Sequence, residues 1–544
     1  MTQLQEQRQK EQRQKKQSQK EQKPTPAKAA SAASPALPPS PTHQQRATVL
    51  AAMCLALFMT NFDGTAGDLA LPQIQKGFGS NMLGVQWYLN AYHLPVASLL
   101  LASGKFGDFF GRKKIFVLGL SIFTVSSLLC GLAPSLPVLI GVRSLQGIGA
   151  AALIPLSLTI VTATYTEEAE RTKAIGIWSA VSALAMVAGP GLGGLLIDSL
   201  SWRSVFFVNL PLGLLTLVLT SRAFHERRAL AHSALNLPSI LLSVLSVACL
   251  TYLLTEGSAD IAAWQTRIML AATTLSFALF AWAEARSQKP LIPPALIRNR
   301  RFLVICATQM LVFFMSGGLF FILSLFLQHV QGYSATLTGL CFLPMNGAII
   351  AASFASGWVV AKRGWRFPIL TGLAMVSAAI YSLTNISAET GYLEILGTLV
   401  LAGFGGGLTI PPLAAGAMNA VRTAEEGIAS AISSISIQFG GILGIGLQGA
   451  VFSAWLGADL RQTMADWQLP AATENYLVEN ALQHFAQMPA SLPMAVSPVA
   501  LERAVKAAFV SGLQATLWVA LIAILLGLFA ITALVPPRKN RPGT

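Results

Sequence analysis

Fourteen times along the 544 residues of this chain, a run of about twenty predominantly apolar residues recurs between shorter polar gaps. A helix needs about 20 such residues to cross a hydrocarbon core ~30 Å thick, and inside lipid only helices and closed barrels satisfy their own backbones. The runs therefore predict an all-α, polytopic membrane protein with 14 transmembrane helices. Six fall near 47–71, 83–103, 115–134, 137–161, 174–197 and 204–222. Two follow near 237–256 and 266–285, and six more near 302–328, 337–361, 367–386, 393–418, 432–456 and 508–535. A hydrophobic content of 53% against 11% charged residues excludes a string of ordinary soluble domains.

The net charge of +14 does not point to nucleic acid, because 9 of the 37 Lys and Arg residues precede residue 47 and most others sit in short gaps. Alternate gaps hold Arg112, Lys113 and Lys114; Arg171 and Lys173; Arg298, Arg300 and Arg301; Lys362, Arg363 and Arg366, whereas the intervening ones hold little beyond Lys76, Arg203 and Arg267. Positive residues stay on the cytoplasmic side. Both termini are thus expected in the cytoplasm, with the chain as a multi-pass protein of the cytoplasmic membrane. The first apolar run begins too late, near Ala47, to act as a secretory signal. Cys54, Cys130, Cys249, Cys306 and Cys341 all lie in apolar runs without metal-ligand spacing, so no metal is expected.

These features divide the chain into a disordered basic tail (1–46), an N-terminal six-helix bundle (47–222), an inserted two-helix segment with flanking cytoplasmic loops (223–301), and a C-terminal six-helix bundle (302–535). An extracytoplasmic loop is expected at about 457–503, and a short cytoplasmic tail at 536–544. Two repeated halves suit a transporter. The segment G-K-F-G-D-F-F-G-R-K-K at 104–114 is echoed by G-W-V-V-A-K-R-G-W-R at 357–366.

Several residues carry more than topology. Asp108 and Arg112 are four apart, a spacing that lets them pair on one helix face, while Gly104 and Gly111 permit a turn and close backbone approach. Together with Lys113 they read as a latch that one conformation makes and another breaks. An acid in the middle of a span costs about 2.5 to 3.5 kcal/mol on insertion scales and is a functional candidate by default. Asp63 is such an acid, and it can take up a proton from one side and release it to the other. At about 1.5 Å per residue, Asp63 and Arg143 fall in the same outer half of the bilayer and can compensate each other's burial; a structural ion pair that never titrates is the alternative. The run A-G-P-G-L-G-G at 188–194 joins a helix-breaking proline to glycines that let helices touch. No nucleotide loop G-x-x-x-x-G-K-[ST] and no H-E-x-x-H occurs, so energy must come from an ion gradient.

In their order along the chain, these motifs resemble a known family. Gly104, Asp108, Gly111, Arg112 and Lys113 match the loop between the second and third helices of the major facilitator superfamily. F-D-G-T-A-G-D-L-A-L-P at 62–72 is similar to the first-helix motif of its fourteen-helix drug:proton antiporters. Arg143, Gln146, Gly147 and Gly149 match the fourth-helix R-x-x-Q-G-x-G; Gly189, Pro190, Gly193 and Gly194 match the antiporter motif of the fifth; W-R-S-V-F-F-V-N-L-P at 202–211 resembles the segment that follows. The resemblance implies a major facilitator fold of two six-helix bundles plus an inserted pair. It also implies proton-coupled export of amphipathic drugs, with Asp63 as proton carrier and Arg143 as its modulator. The chain departs from the family at Asp68, where asparagine is usual, and at His93, where an apolar residue is common. Asp68 reads as a second proton site, an attractor for cations, or a solvated end residue before Pro72, the last being preferred. His93 reads as a packing histidine ahead of a proton relay.

A central cavity between the halves is expected to be lined by Trp87, Tyr92, His93, Phe313, Phe314, Asn346 and Gln438. No cofactor is expected beyond the proton as coupling ion. The expected partners are an amphipathic small molecule and the lipid bilayer, and a monomer is expected to suffice. An exporter dedicated to a single metabolite, siderophore or antibiotic is the second reading, and a non-transporting membrane sensor the third. None of the three is an enzyme.

Overall fold

The computed structural model describes residues 42–223, 236–256, 264–287, 290, 292, 294–421, 426–465, 467, 477–478 and 497–534. Long helices dominate these residues: α1 His43–Leu69, α2 Met82–Phe110, α3 Arg112–Gly131, α4 Leu136–Thr164, α5 Glu168–Ser199, α6 Asn209–Ala223, α7 Leu237–Glu256 and α8 Trp264–Arg286. There follow α9 Arg300–Leu325, α10 Ala335–Arg363, α11 Arg366–Leu383, α12 Tyr392–Asn419, α13 Glu426–Leu443 and α14 Pro498–Leu534. Single π-helical turns extend α9 over Phe326–Val330 and α13 over Gly444–Gln448, from which helix Gly449–Ala465 continues. Among the described residues, twelve helices are long and apolar enough to cross a membrane. The other two, α2 and α7, occupy the expected second and seventh spans, so a count of fourteen is compatible with the fold. Composition holds α2 back, because Gln86, Asn90 and His93 interrupt its apolar run.

Side-chain caps set several helix starts: Asn81 accepts from the Gly84 amide at 3.0 Å, Asn299 from Phe302 and Ser334 from Leu337, each at 3.2 Å. Gly111 and Gly364 separate α2 from α3 and α10 from α11, with φ of +107° and +76°. These left-handed conformations suit glycine, and they fall at matching places in the two echoed segments. One consequence corrects an expectation: Asp108 and Arg112 belong to different helices, so no shared helix face pairs them.

For description, the upper end of the bundle holds Leu69, Ser135 and Leu200, and the lower end holds Arg46, Gly111 and Gly364. Helix α1 packs on α4, α5 and α6; α9 to α14 pack on one another; and α5 against α10 and α2 against α13 join the two groups. One apolar cluster runs from Phe62, Leu69 and Val85 of the first group into Leu319, Phe326 and Phe342 of the second. A separate cluster around Met53, Phe116 and Leu153 fills the lower part of the first group. Leu118, Val125, Leu195, Phe354 and Phe529 point outward, as a lipid-facing belt requires.

The α7–α8 pair lies along α2: Phe106 groups with Ile240, Ala97 with Val247, and the Trp87 ring with Tyr252 at 5.9 Å. Nineteen residues of α2 separate the first and last of these contacts, or about 28 Å of helix. Helix runs to Ala465 and resumes at Pro498, narrowing the loop expected at 457–503. The central part of that loop and the expected tails before Thr42 and after Leu534 lie outside the described residues.

Candidate functional site

The apolar first helix carries Asp63 into the upper interior, where its carboxylate is fully buried. Such a charge persists there only if other groups compensate it. Arg143 of α4, 2% exposed, donates through Nη1 to Asp63 Oδ2 and at 2.8 Å to Gln146 Oε1. Gln146 Nε2 donates to Asp63 Oδ1 at 2.9 Å and to Ser127 Oγ of α3 at 2.9 Å, and Asn209 Nδ2 at the start of α6 donates to Asp63 Oδ1 at 3.0 Å. The Asp63 carboxylate of α1 thus accepts from α4 and α6, and α3 joins the network through Gln146. Its two oxygens differ: Oδ1 accepts from two neutral amides, while Oδ2 accepts from the guanidinium. Above the Arg143 guanidinium carbon lie the rings of Tyr88 at 4.8 Å, Tyr92 at 4.5 Å and Phe206 at 5.6 Å. Desolvated cation–π contacts of this kind contribute about 2 kcal/mol.

The expected partners Asp63 and Arg143 are therefore brought together. In the sequence Gln146 and Asn209 stand only as members of motifs, and Ser127 and Tyr88 carry no signal of their own. The spacing of Arg143 and Gln146, three apart on one helix face, was the available signal. Asp68 stands on another face of α1, half-buried, with no hydrogen bond or ion pair to any described residue. It is the penultimate residue of α1, which ends at Leu69, and the short helix Leu71–Phe78 follows above it. His93 is half-buried with its ring edge-on to Tyr92 at 5.4 Å and a buried, unpartnered Nδ1.

The other expected cavity residues are dispersed. Trp87 faces Tyr252 of the inserted pair. Phe313 lies against Gly440 of α13, and Phe314 is buried with its carbonyl accepting from Gln448 Nε2 at 2.7 Å. Asn346 is buried on α10 and Gln438 half-buried on α13.

The 188–194 run forms a seam. A side chain on Gly189 would strike Thr65 of α1, one on Gly193 would meet Ala66 at 2.6 Å, and one on Gly194 would meet the Ala335 carbonyl of α10 at 2.6 Å. Gly339 of α10 rests in turn on the Pro190 carbonyl. Helix α5 is continuous through Pro190, so the motif acts here by close approach and not as a break in the helix. Nearby, Asp198 Oδ2 accepts from the Thr336 amide at 2.7 Å, and Gln328 Nε2 donates to the Leu69 carbonyl at 3.4 Å, which ties the upper ends of the two groups together.

In the expected latch, Gly104 has open space around it, and Gly107 is the glycine packed closely, against Leu156. Lys113 Nζ donates to the Ser221 carbonyl at 3.2 Å, Arg112 opens α3, and the side chain of Asp108 lies outside the described residues.

Comparison with known proteins bears on this geometry. The family model described as Major Facilitator Superfamily matches residues 53–445. The chain is 37% identical over 414 residues to the multidrug resistance protein Stp of Mycobacterium tuberculosis, covering 76% of each. It is 30% identical over 513 residues to the tetracenomycin C resistance and export protein of Streptomyces glaucescens, covering 91% of this chain and 93% of that one. Among solved structures, a bacterial homolog of the human lysosomal transporter Spinster, inward-facing and unoccupied, is similar with a TM-score of 0.63 and 19% identity, over 91% of this chain and 98% of that one. That likeness is one of fold. With the family model and such relatives spanning most of its length, the chain belongs to the Major Facilitator Superfamily.

Proposed function

We propose that this chain is a proton-coupled antiporter that exports amphipathic drugs or toxic compounds across the cytoplasmic membrane by alternating access, through fourteen spans with both termini in the cytoplasm. The observation that carries the reading is the fully buried Asp63 held by Arg143, Gln146 and Asn209. A proton arriving at Oδ2 displaces only the Arg143 bond and leaves the two amide bonds on Oδ1. Arg143 then keeps Gln146 and its aromatic rings, so the acid can change charge without unravelling the site. Release of that bond is the local event that biases the two bundles between their open arrangements. The closed upper seam agrees with a state open at the lower end, from which the cargo enters.

The membrane potential supplies about 2.3 kcal/mol per charge per 100 mV. One proton per cycle then sustains a cargo gradient of roughly 50-fold, since each ~1.4 kcal/mol is a factor of ten. The names of the relatives, multidrug resistance among them, support a drug as cargo. The test is a substrate panel on inverted vesicles, with proton release recorded beside uptake. Asp63→Asn is expected to insert normally and lose coupled movement, and undiminished antiport in that variant removes Asp63 from the mechanism. A second reading, export of one antibiotic, is favoured by the broad match to the tetracenomycin C exporter. A deletion strain sensitised to a single compound, not to many, would select it.

A further inference from the structure

The lower end of the second helix group holds a cavity of about 70 Å³ that the transport mechanism leaves unused. One water needs about 10–15 Å³ of such space, so several water-sized groups fit. Its walls come from three helix ends: Arg301 and Ile305 of α9, Trp365 and Arg366 around the start of α11, and Gly416 and Asn419 of α12. A side chain on Gly416 would press against the Trp365 ring at 3.3 Å and against Ile305 at 3.4 Å, so the inner wall is apolar and already close-packed. The charged groups stand around it. Arg301 is exposed and makes no hydrogen bond or ion pair to a described residue. Arg366 Nη2 donates to the Thr532 carbonyl of α14 at 2.7 Å, while its Nε is buried with no partner among the described residues. The Ala420 carbonyl, also at the cavity, is taken by Asn299 Nδ2 at 2.6 Å and so does not serve either arginine.

Two guanidiniums with donors to spare, and no acid among the residues lining the cavity, suit an anion. Their forked N–H groups match the oxygens of a phosphate, and a buried donor left unpaired is costly. A phosphate can come from a lipid headgroup or from a soluble solute, and the position favours the lipid. Thr532, which Arg366 reaches, is exposed, and Phe529 one turn higher on α14 is 64% exposed among the outward-pointing side chains. Trp365 adds an indole of the kind that sits at headgroup level. Basic pockets between helices at the cytoplasmic surface suit anionic headgroups. Resting on the orientation proposed above, we infer that this cavity holds the phosphate group of an anionic phospholipid of the cytoplasmic leaflet, bound by Arg301 and Arg366.

The test uses the purified full-length protein in detergent, where binding is read whichever way the chain inserts and whether or not it exports a drug. Short-chain phosphatidylglycerol, short-chain phosphatidylcholine and glycerol phosphate are each titrated into the native chain, Arg301→Gln, Arg366→Lys and Arg298→Gln. Arg366→Lys keeps the charge and removes the Nε donor, and Arg298 is an exposed arginine outside the cavity. The native chain is expected to prefer phosphatidylglycerol over phosphatidylcholine. Arg301→Gln and Arg366→Lys should each weaken phosphatidylglycerol roughly 10- to 100-fold, as the loss of a charge-assisted bond does. Arg298→Gln should leave it unchanged. Because Arg301 bonds to no described residue, Arg301→Gln should also keep the native unfolding temperature. Equal losses in all three variants would reduce the site to general surface charge and overturn it, as would a native chain with no preference between the two lipids. Glycerol phosphate binding as tightly as phosphatidylglycerol would overturn the lipid assignment and give the cavity to a soluble phosphate.

Discussion

Asp63 and Arg143 are a buried pair with unequal tolerance for loss. Arg143→Leu leaves a carboxylate inside the bundle with only amide donors, and breaking one side of a buried pair costs about 3–5 kcal/mol. Asp63→Asn is milder because the guanidinium keeps Gln146 and three aromatic rings. Thermal unfolding in detergent should therefore place Arg143→Leu well below Asp63→Asn, with the double variant recovering part of the difference; additive losses would contradict the pairing. Tyr92 allows a cleaner dissection. Its hydroxyl makes only a 3.4 Å bond to the Thr60 carbonyl, whereas its ring sits 4.5 Å from the guanidinium. Tyr92→Phe should thus retain coupled transport, and Tyr92→Leu should lose stability on the order of 2 kcal/mol. The charged pair was legible in the sequence because ionisable residues in apolar runs have few explanations. Asn209 and Ser127 were not, because neutral polar residues in a span can equally well bond to their own helix. Asp68 does stand at the end of α1, and what the sequence did not signal is that Pro72, in the first turn of helix Leu71–Phe78, starts a further helix above it.

At the scale of elements, the upper seam between α5 and α10 is built from backbone contacts that leave no room for side chains. A valine at Gly339 would collide with the Pro190 carbonyl, so Gly339→Val should hold the upper ends apart. Asp198 adds a charged cap to the first turn of α10, where backbone amides lack helical partners. Losing such a cap costs about 0.5–2 kcal/mol, enough to shift a balanced two-state gate several-fold. Spin labels at Ser199 and Leu337, both exposed beside the seam, should report longer distances in Asp198→Ala and the longest in Gly339→Val. Unchanged distances in both would mean that the seam does not gate. Twelve helices long and apolar enough to cross a membrane, compatible with the fourteen runs expected from hydropathy, were legible in the sequence, and so was the repeated turn, because Gly111 and Gly364 take the same place in each half. The π-helical turns at Phe326–Val330 and Gly444–Gln448 were not, since they arise from packing against neighbours and leave no mark on apolar periodicity.

At the scale of the whole molecule, the open question is whether α7 and α8 cross the membrane with the other helices. Contacts of α7 with α2 extend over about 28 Å of helix, close to the hydrocarbon thickness. A pair lying on one surface would touch α2 at one end only. The lower ends of the helices carry Arg298, Arg300, Arg301, Lys362 and Arg363, all exposed, and the proposed orientation places these positive residues on the cytoplasmic side. Thiol labelling can settle both points, because four of the five native cysteines are buried. On intact cells, an impermeant reagent should modify Leu393→Cys, 82% exposed at the upper start of α12, and spare Lys362→Cys at the lower end. It should also modify Trp264→Cys, 66% exposed at the start of α8, and spare Leu237→Cys at the start of α7. Labelling of Lys362→Cys in place of Leu393→Cys would invert the orientation. Protection of both Trp264→Cys and Leu237→Cys would leave the inserted pair on the cytoplasmic face and reduce the crossing helices to twelve.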